Sequence, residues 1–121
     1  MRIISIASAL GAATVLASAP AHADSSDKYS PGYGSGFNAR YLTDMHAAGL
    51  TNINGDRATI KQGWSICDAY DSESIGEIPS GGAFTAAFTG LTLNGTRAVD
   101  ARTAIRLAVT DICPEHADLR H

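Results

Sequence analysis

Cys67 and Cys113 are the only thiols in a chain of 121 residues that opens with an export signal, and this pairing constrains the fold more than any other feature. Export delivers a chain to an oxidising compartment, where two thiols in one small domain are expected to join as a disulfide. In the chain-entropy model a loop of this length is worth about 4 kcal/mol. That is a large share of a small domain's stability.

The signal has three parts. Arg2 supplies the positive start, residues 3–18 form a nearly uncharged apolar run, and Ala21-His22-Ala23 is an A-x-A cleavage site. Residues 1–23 are therefore expected to be removed, leaving a soluble chain that begins at Asp24. The apolar run is short for a membrane span, which takes about 20 residues, and Asp24 and Asp27 follow it closely. No stable membrane insertion is expected after cleavage, and no cysteine stands at the cleavage site to carry a lipid. The expected location is the medium or the cell envelope.

Residues 24–121 make one domain, near the size at which a core is marginal without a staple. With Arg2 gone, 8 basic residues face 12 acidic ones, a net charge of −4. A mildly acidic domain is a poor nucleic-acid binder, because phosphate neutralisation takes clustered Lys and Arg. Arg97, Arg102 and Arg106 are the only local basic group, and they read as a solvated helix face.

Along the mature chain, residues 24–36 (DSSDKYSPGYGSG) carry Tyr29 and Tyr33 without apolar periodicity, and read as a flexible Ser/Gly/Tyr leader. The helical domain is expected over residues 37–121. Phe37, Tyr41, Met45 and Ala48 recur at helical spacing with Leu42 beside them and Asn38, Thr43, Asp44 and Ala47 on the other side, and Gly49 followed by Leu50 is a helix stop of the Schellman type. Asn54-Gly55-Asp56 starts a second helix, predicted to run to about Tyr70 with Ile60, Gly63, Trp64, Cys67 and Tyr70 on its buried stripe. Gly63 in a helix interior points to a neighbouring helix packed close. Residues 71–82 read as a long polar loop, the first place to expect a binding surface. Phe84 and Phe88 mark a short third helix closed by Gly90. Asn94-Gly95-Thr96 starts a fourth, with Ala98, Ala101, Ile105, Ala108, Val109 and Ile112 inward, and Pro114 marks its end. The expected fold is all-α: a bundle of about four helices in which one disulfide joins the second to the fourth.

Three segments, FNARYLTDMHAAG (37–49), GWSICDAYD (63–71) and AVTDICPEH (108–116), resemble a family of small secreted mycobacterial proteins grouped as domain-of-unknown-function family 732. The likeness covers about residues 37–118. It implies a signal peptide, a helical domain and one cysteine pair joining two helices, and it implies no activity, since none is established for the family. Two departures stand out. In the family pattern a Gly closely follows the first cysteine's helix, whereas Asp71-Ser72-Glu73-Ser74 intervene here before Gly76. An aromatic often precedes the second cysteine, where this chain has Ile112.

No catalytic constellation emerges. Both cysteines are expected in the disulfide, no G-x-S-x-G elbow exists, and Ser65 and Ser80 have no distinguishing context. Glu73 and Glu77 lie in the expected polar loop, where their pKa values would stay ordinary. Asp111, Glu115, His116, Asp118 and His121 crowd the tail, but without zinc-type spacing they read as an acidic, frayed end, and no metal or other cofactor is expected. A His46 and Tyr41 pair for haem is disfavoured because five residues place them on different helix faces, leaving His46 a surface residue. Asn94-Gly95-Thr96 fits the N-glycosylation pattern, and a turn accounts for the same residues.

The function expected from these residues is that of a secreted, non-enzymatic interaction module that meets an unidentified protein or envelope partner through residues 71–82 and the tyrosine leader. The alternative is a small carrier holding an apolar ligand, lipid or haem-like, among Phe37, Trp64, Phe84 and Phe88.

Overall fold

A computed structural model describes residues 27–34 and 36–119 of the chain. The expected signal at 1–23, the first leader residues and His121 lie outside the described residues. Four α-helices follow one another: α1 (Phe37–Ala48), α2 (Asp56–Ser74), α3 (Gly82–Leu93) and α4 (Ala98–Asp111). A 3₁₀ helix, Pro114–Leu119, comes after them. No strand occurs among the described residues, and none of their helices is long and apolar enough to cross a membrane. The class is all-α, a small bundle with the disulfide between Cys67 and Cys113.

Three of the helices end on the same device. At Gly49 the backbone takes φ 71°, a left-handed conformation that costs glycine nothing, and this turns the chain so that Leu50 N–H reaches Met45 O at 2.9 Å. Leu50 then packs on the core, as the sequence predicts. The pattern repeats at Gly76, where Glu77 N–H bonds Ser72 O, and at Gly95, where Thr96 N–H bonds Leu91 O.

These last two stops move three expected boundaries. α2 runs to Ser74 rather than about Tyr70, so the expected loop at 71–82 shrinks to residues 75–81. α3 passes through Gly90 and ends at Leu93, since Leu91, 7 % exposed, is part of the core and keeps the chain helical beyond that glycine. Asn94-Gly95-Thr96 therefore closes α3 rather than opening α4, which begins after Arg97.

The core lies where α1, α2 and α4 meet. Tyr41, Met45, Ile60, Tyr70, Ile105 and Val109 are its largest wholly buried apolar side chains. Small residues set the spacing. A Cβ on Gly63 would lie 2.6 Å from Cε2 of Tyr41 and 2.7 Å from Cδ1 of Ile112, so α2 carries no side chain where the Tyr41 ring crosses it. The neighbour predicted to press on Gly63 is thus α1. On α4, Ala101, Ala104 and Ala108 are buried and let that helix approach the others closely. Cys67 and Cys113 bridge α2 to the end of α4 with Cα atoms 6.0 Å apart, across a sequence separation of 46.

Candidate functional site

Residues 27–34 of the expected flexible leader form turns seated on α1 and α2. Asn38 holds them there. It was expected on the outer side of the first helix, yet it is wholly buried, and its Nδ2 donates to Lys28 O and Ser30 O, each at 2.8 Å. Its Oδ1 accepts from Trp64 Nε1 at 3.0 Å. Every polar atom of that amide is engaged, which is why an asparagine can be enclosed at the start of a helix. Tyr33, Phe37 and Trp64 meet edge to face, with ring centroids 5.9–6.2 Å apart.

The same clasp gathers cations. Lys28, Arg57 and Lys61 lie 5.4–5.9 Å from the Tyr29 ring, and Lys28 Nζ stands 4.5 Å from the Trp64 ring. Arg97, Arg102 and Arg106 are therefore not the only local basic group. Asp27 answers this charge by pairing with Arg57, and its carboxyl is held below the usual range by the Tyr29 N–H first and by Arg57 second. Arg97, Arg102 and Arg106 are all exposed, as a solvated face requires, with Arg97 paired to Asp100 and the Arg102 guanidinium 5.0 Å from the Phe88 ring.

The acidic residues of the expected loop and tail separate into different roles. Glu73 is buried, and its Oε1 accepts the Ala83 N–H at 3.0 Å. A carboxylate from α2 thus serves the N-terminus of α3, whose own preceding residues supply no side-chain cap. Asp111, expected in a frayed tail, is 3 % exposed on α4. Burial first, and then a hydrogen bond and charge from Asp44 on α1, push its pKa up to about 7, against a smaller downward pull from Arg40. Tyr41 beside it is raised as well, chiefly by burial and then by the Asp111 charge.

His46 is exposed and bonds Asp56 Oδ1 at 3.0 Å, while Tyr41 is enclosed under α2, so the two do not converge. His116 behaves differently. Its side chain is 11 % exposed, and its Nε2 lies 2.5 Å from Asp71 Oδ1 on α2 and 3.9 Å from Glu115 Oε2. Asp71 is missing from the tail cluster read in the sequence. The signal for it was the disulfide itself, because Asp71 stands one helical turn beyond Cys67 and His116 one 3₁₀ turn beyond Cys113.

The two serines of the sequence reading stand apart from any base: Ser65 Oγ donates to the Lys61 carbonyl, and Ser80 is exposed. The four aromatics expected around an apolar ligand fall into two groups. Phe37 and Trp64 belong to the leader clasp, and Phe84 and Phe88 stack at 5.6 Å where α3 meets α4. None of the four lines the hollows that lie around α3.

Open space gathers around α3 instead. Between Glu77 and Arg97 no residue is charged. α3 fully buries only Ala83 and Leu91, and it leaves Leu93 81 % exposed beside Ala86, Thr89 and Gly90. A cavity of about 370 Å³ between α2 and α3 is lined by Ile66, Ala69, Ala87 and Leu91 among others. It shares Ala86 and Gly90 with a hollow on the outer side of α3, and Gln62, Leu91 and Asn94 with one of about 530 Å³ that reaches Ile53 and Asp100. The three thus adjoin one another along α3.

Comparison with protein-family models, with curated proteins and with solved structures returns no match to this chain.

Proposed function

We propose that this protein is a secreted, non-enzymatic interaction module, and that it docks an apolar helix of a partner protein in the envelope or medium against α3. The observation that carries the reading is the uncharged, partly exposed α3 with its band of hollows. An exposed surface of this kind gains most when apolar surface covers it, and its small residues admit a helix at close range. The expected loop at 71–82 is set aside as the contact, because Glu73 and Ile78 tie it down. Membership of family 732 and a leader removed after Ala23 belong to the same proposal. An intramolecular disulfide is compatible with export, and FNARYLTDMHAAG corresponds to α1 with its glycine stop.

The carrier reading keeps one observation in its favour, the 370 Å³ cavity between α2 and α3, which lies at the small end of ligand pockets. One experiment separates the two. The protein is cross-linked in the envelope and culture fluid of its own host, as wild type, Leu93→Asp and Ala47→Asp. Loss of the cross-linked protein species with Leu93→Asp alone is expected. Equal retention in all three would contradict docking at α3. A small-molecule adduct seen by native mass spectrometry in place of a protein partner would favour the carrier.

A further inference from the structure

We propose that Asp71, Glu115 and His116 form a binding site for one divalent transition-metal ion, with zinc the best fit. The three ligand atoms lie within 4.8 Å of one another. They come from two elements, Asp71 from α2 and the other two from the 3₁₀ helix.

The charge pattern points to a cation. A single proton on His116 Nε2 can be given to one carboxylate at a time, and Asp71 Oδ1 takes it at 2.5 Å. The Glu115 carboxylate, 3.9 Å from the same nitrogen, is left facing the Asp71 carboxylate with no second donor from that ring. A divalent ion in place of the proton satisfies all three groups together, and two carboxylates with a neutral imidazole balance its charge.

The spacing agrees with this. A tetrahedral zinc ion with ligand bonds of about 2.0–2.2 Å holds its ligand atoms roughly 3.4 Å apart. The two separations at His116, 2.5 and 3.9 Å, bracket that value. Asp71 and Glu115 are 60 % and 64 % exposed, so they have room to adjust and leave a route in from solvent. His116 is packed and presents its nitrogen in a fixed direction. Water would complete the coordination.

The disulfide prepares the site. Cys67 lies one turn before Asp71 on α2, and Cys113 lies one 3₁₀ turn before His116, whose N–H bonds Cys113 O at 3.0 Å. The covalent bond thus holds the two ligand-bearing segments in register before any ion arrives, which lowers the ordering cost of binding. Both thiols are engaged, so soft ions that need thiolate have no ligand here. One imidazole and two carboxylates suit zinc and its first-row neighbours better than calcium or magnesium, which take oxygen ligands.

The test uses the full disulfide-bonded chain, stripped of metal and titrated with zinc chloride by calorimetry, with cobalt(II) absorption as a second readout. One equivalent of zinc is expected to bind. His116→Gln is expected to weaken binding at least about tenfold. Asp71→Asn and Glu115→Gln each weaken it too, and His46→Gln, on the opposite histidine–aspartate pair, leaves it unchanged. If His116→Gln does not fold, the two exposed carboxylate variants decide the matter. Absence of zinc binding by the wild-type chain, or binding that none of the three substitutions alters, would overturn the proposal.

Discussion

Two sides of α2 face different neighbours. Toward α4 and the tail, Cys67 is bonded to Cys113, Tyr70 is wholly enclosed, and Asp71 meets His116 one turn further on. Toward α3, the same helix presents Gln62, Ser65, Ile66 and Ala69 to a cavity that Ala86, Ala87 and Gly90 leave open from the other wall. A covalent bond and the enclosed Tyr70 close the first seam. On the second, small residues bring the backbones together and leave space beside them. Apolar stabilisation scales with the area buried, so the partly exposed α3 is held less firmly than the enclosed and covalently bonded stretch around Cys67 and Tyr70.

The comparison is broken most severely at the disulfide. Cys67→Ser with Cys113→Ser is expected to cost about 4 kcal/mol, which in a domain of this size lowers Tm by roughly 15–30 °C. A thermal melt of the variant checks this.

Two glycines inside helices then test the seams in opposite directions. Gly63→Ala drives a methyl into the Tyr41 ring, and overpacking of this kind costs about 1–3 kcal/mol. Gly90→Ala meets nothing within 4 Å and removes a flexible residue from α3, so it is expected to stabilise by about 0.5–1 kcal/mol. Urea denaturation of both variants reads the two signs.

A pH-dependent effect comes from Asp111, between α4 and α1. Its pKa is raised in the fold from 3.8 to about 7, so the folded state holds the proton more tightly than the unfolded chain does. The resulting stability is fully present below about pH 4 and is lost as pH rises through 7. Asp27, whose pKa is lowered, stays ionised in both states above pH 5 and adds no slope there. Melting curves across pH 5 to 8 should show wild type losing stability relative to Asp111→Asn, which cannot ionise. Parallel curves would place Asp111 outside the linkage.

Much of the bonded seam was legible in the sequence. The cysteine pair, the buried faces of α2 and α4, the Gly49 stop and the close approach at Gly63 all follow from spacing and residue size. The hollow seam was less legible. Gly90 and Gly95 are equally good stops locally, and the choice between them is made by Leu91, whose burial depends on contacts far away in the chain. The end of α2 was hidden by Ser72, Glu73 and Ser74, which read as loop until Glu73 is seen serving the N-terminus of α3. Asn38 looked like an outward residue because its partners, Lys28, Ser30 and Trp64, come from a leader and a helix that no periodicity links to it. Asp71 and His116 needed one more step, since once the cysteines are paired the residues a turn beyond each are brought face to face.

The most direct test of the contrast between the seams is native-state hydrogen exchange of the disulfide-bonded chain. Amides of α2 and α4 around Cys67, Tyr70 and Val109 should exchange only through global unfolding, while those of α3 from Phe88 to Leu93 open at a distinctly lower free energy. Protection in α3 equal to that around Cys67 would contradict the account, for α3 would then belong to the same cooperative unit as the bonded seam.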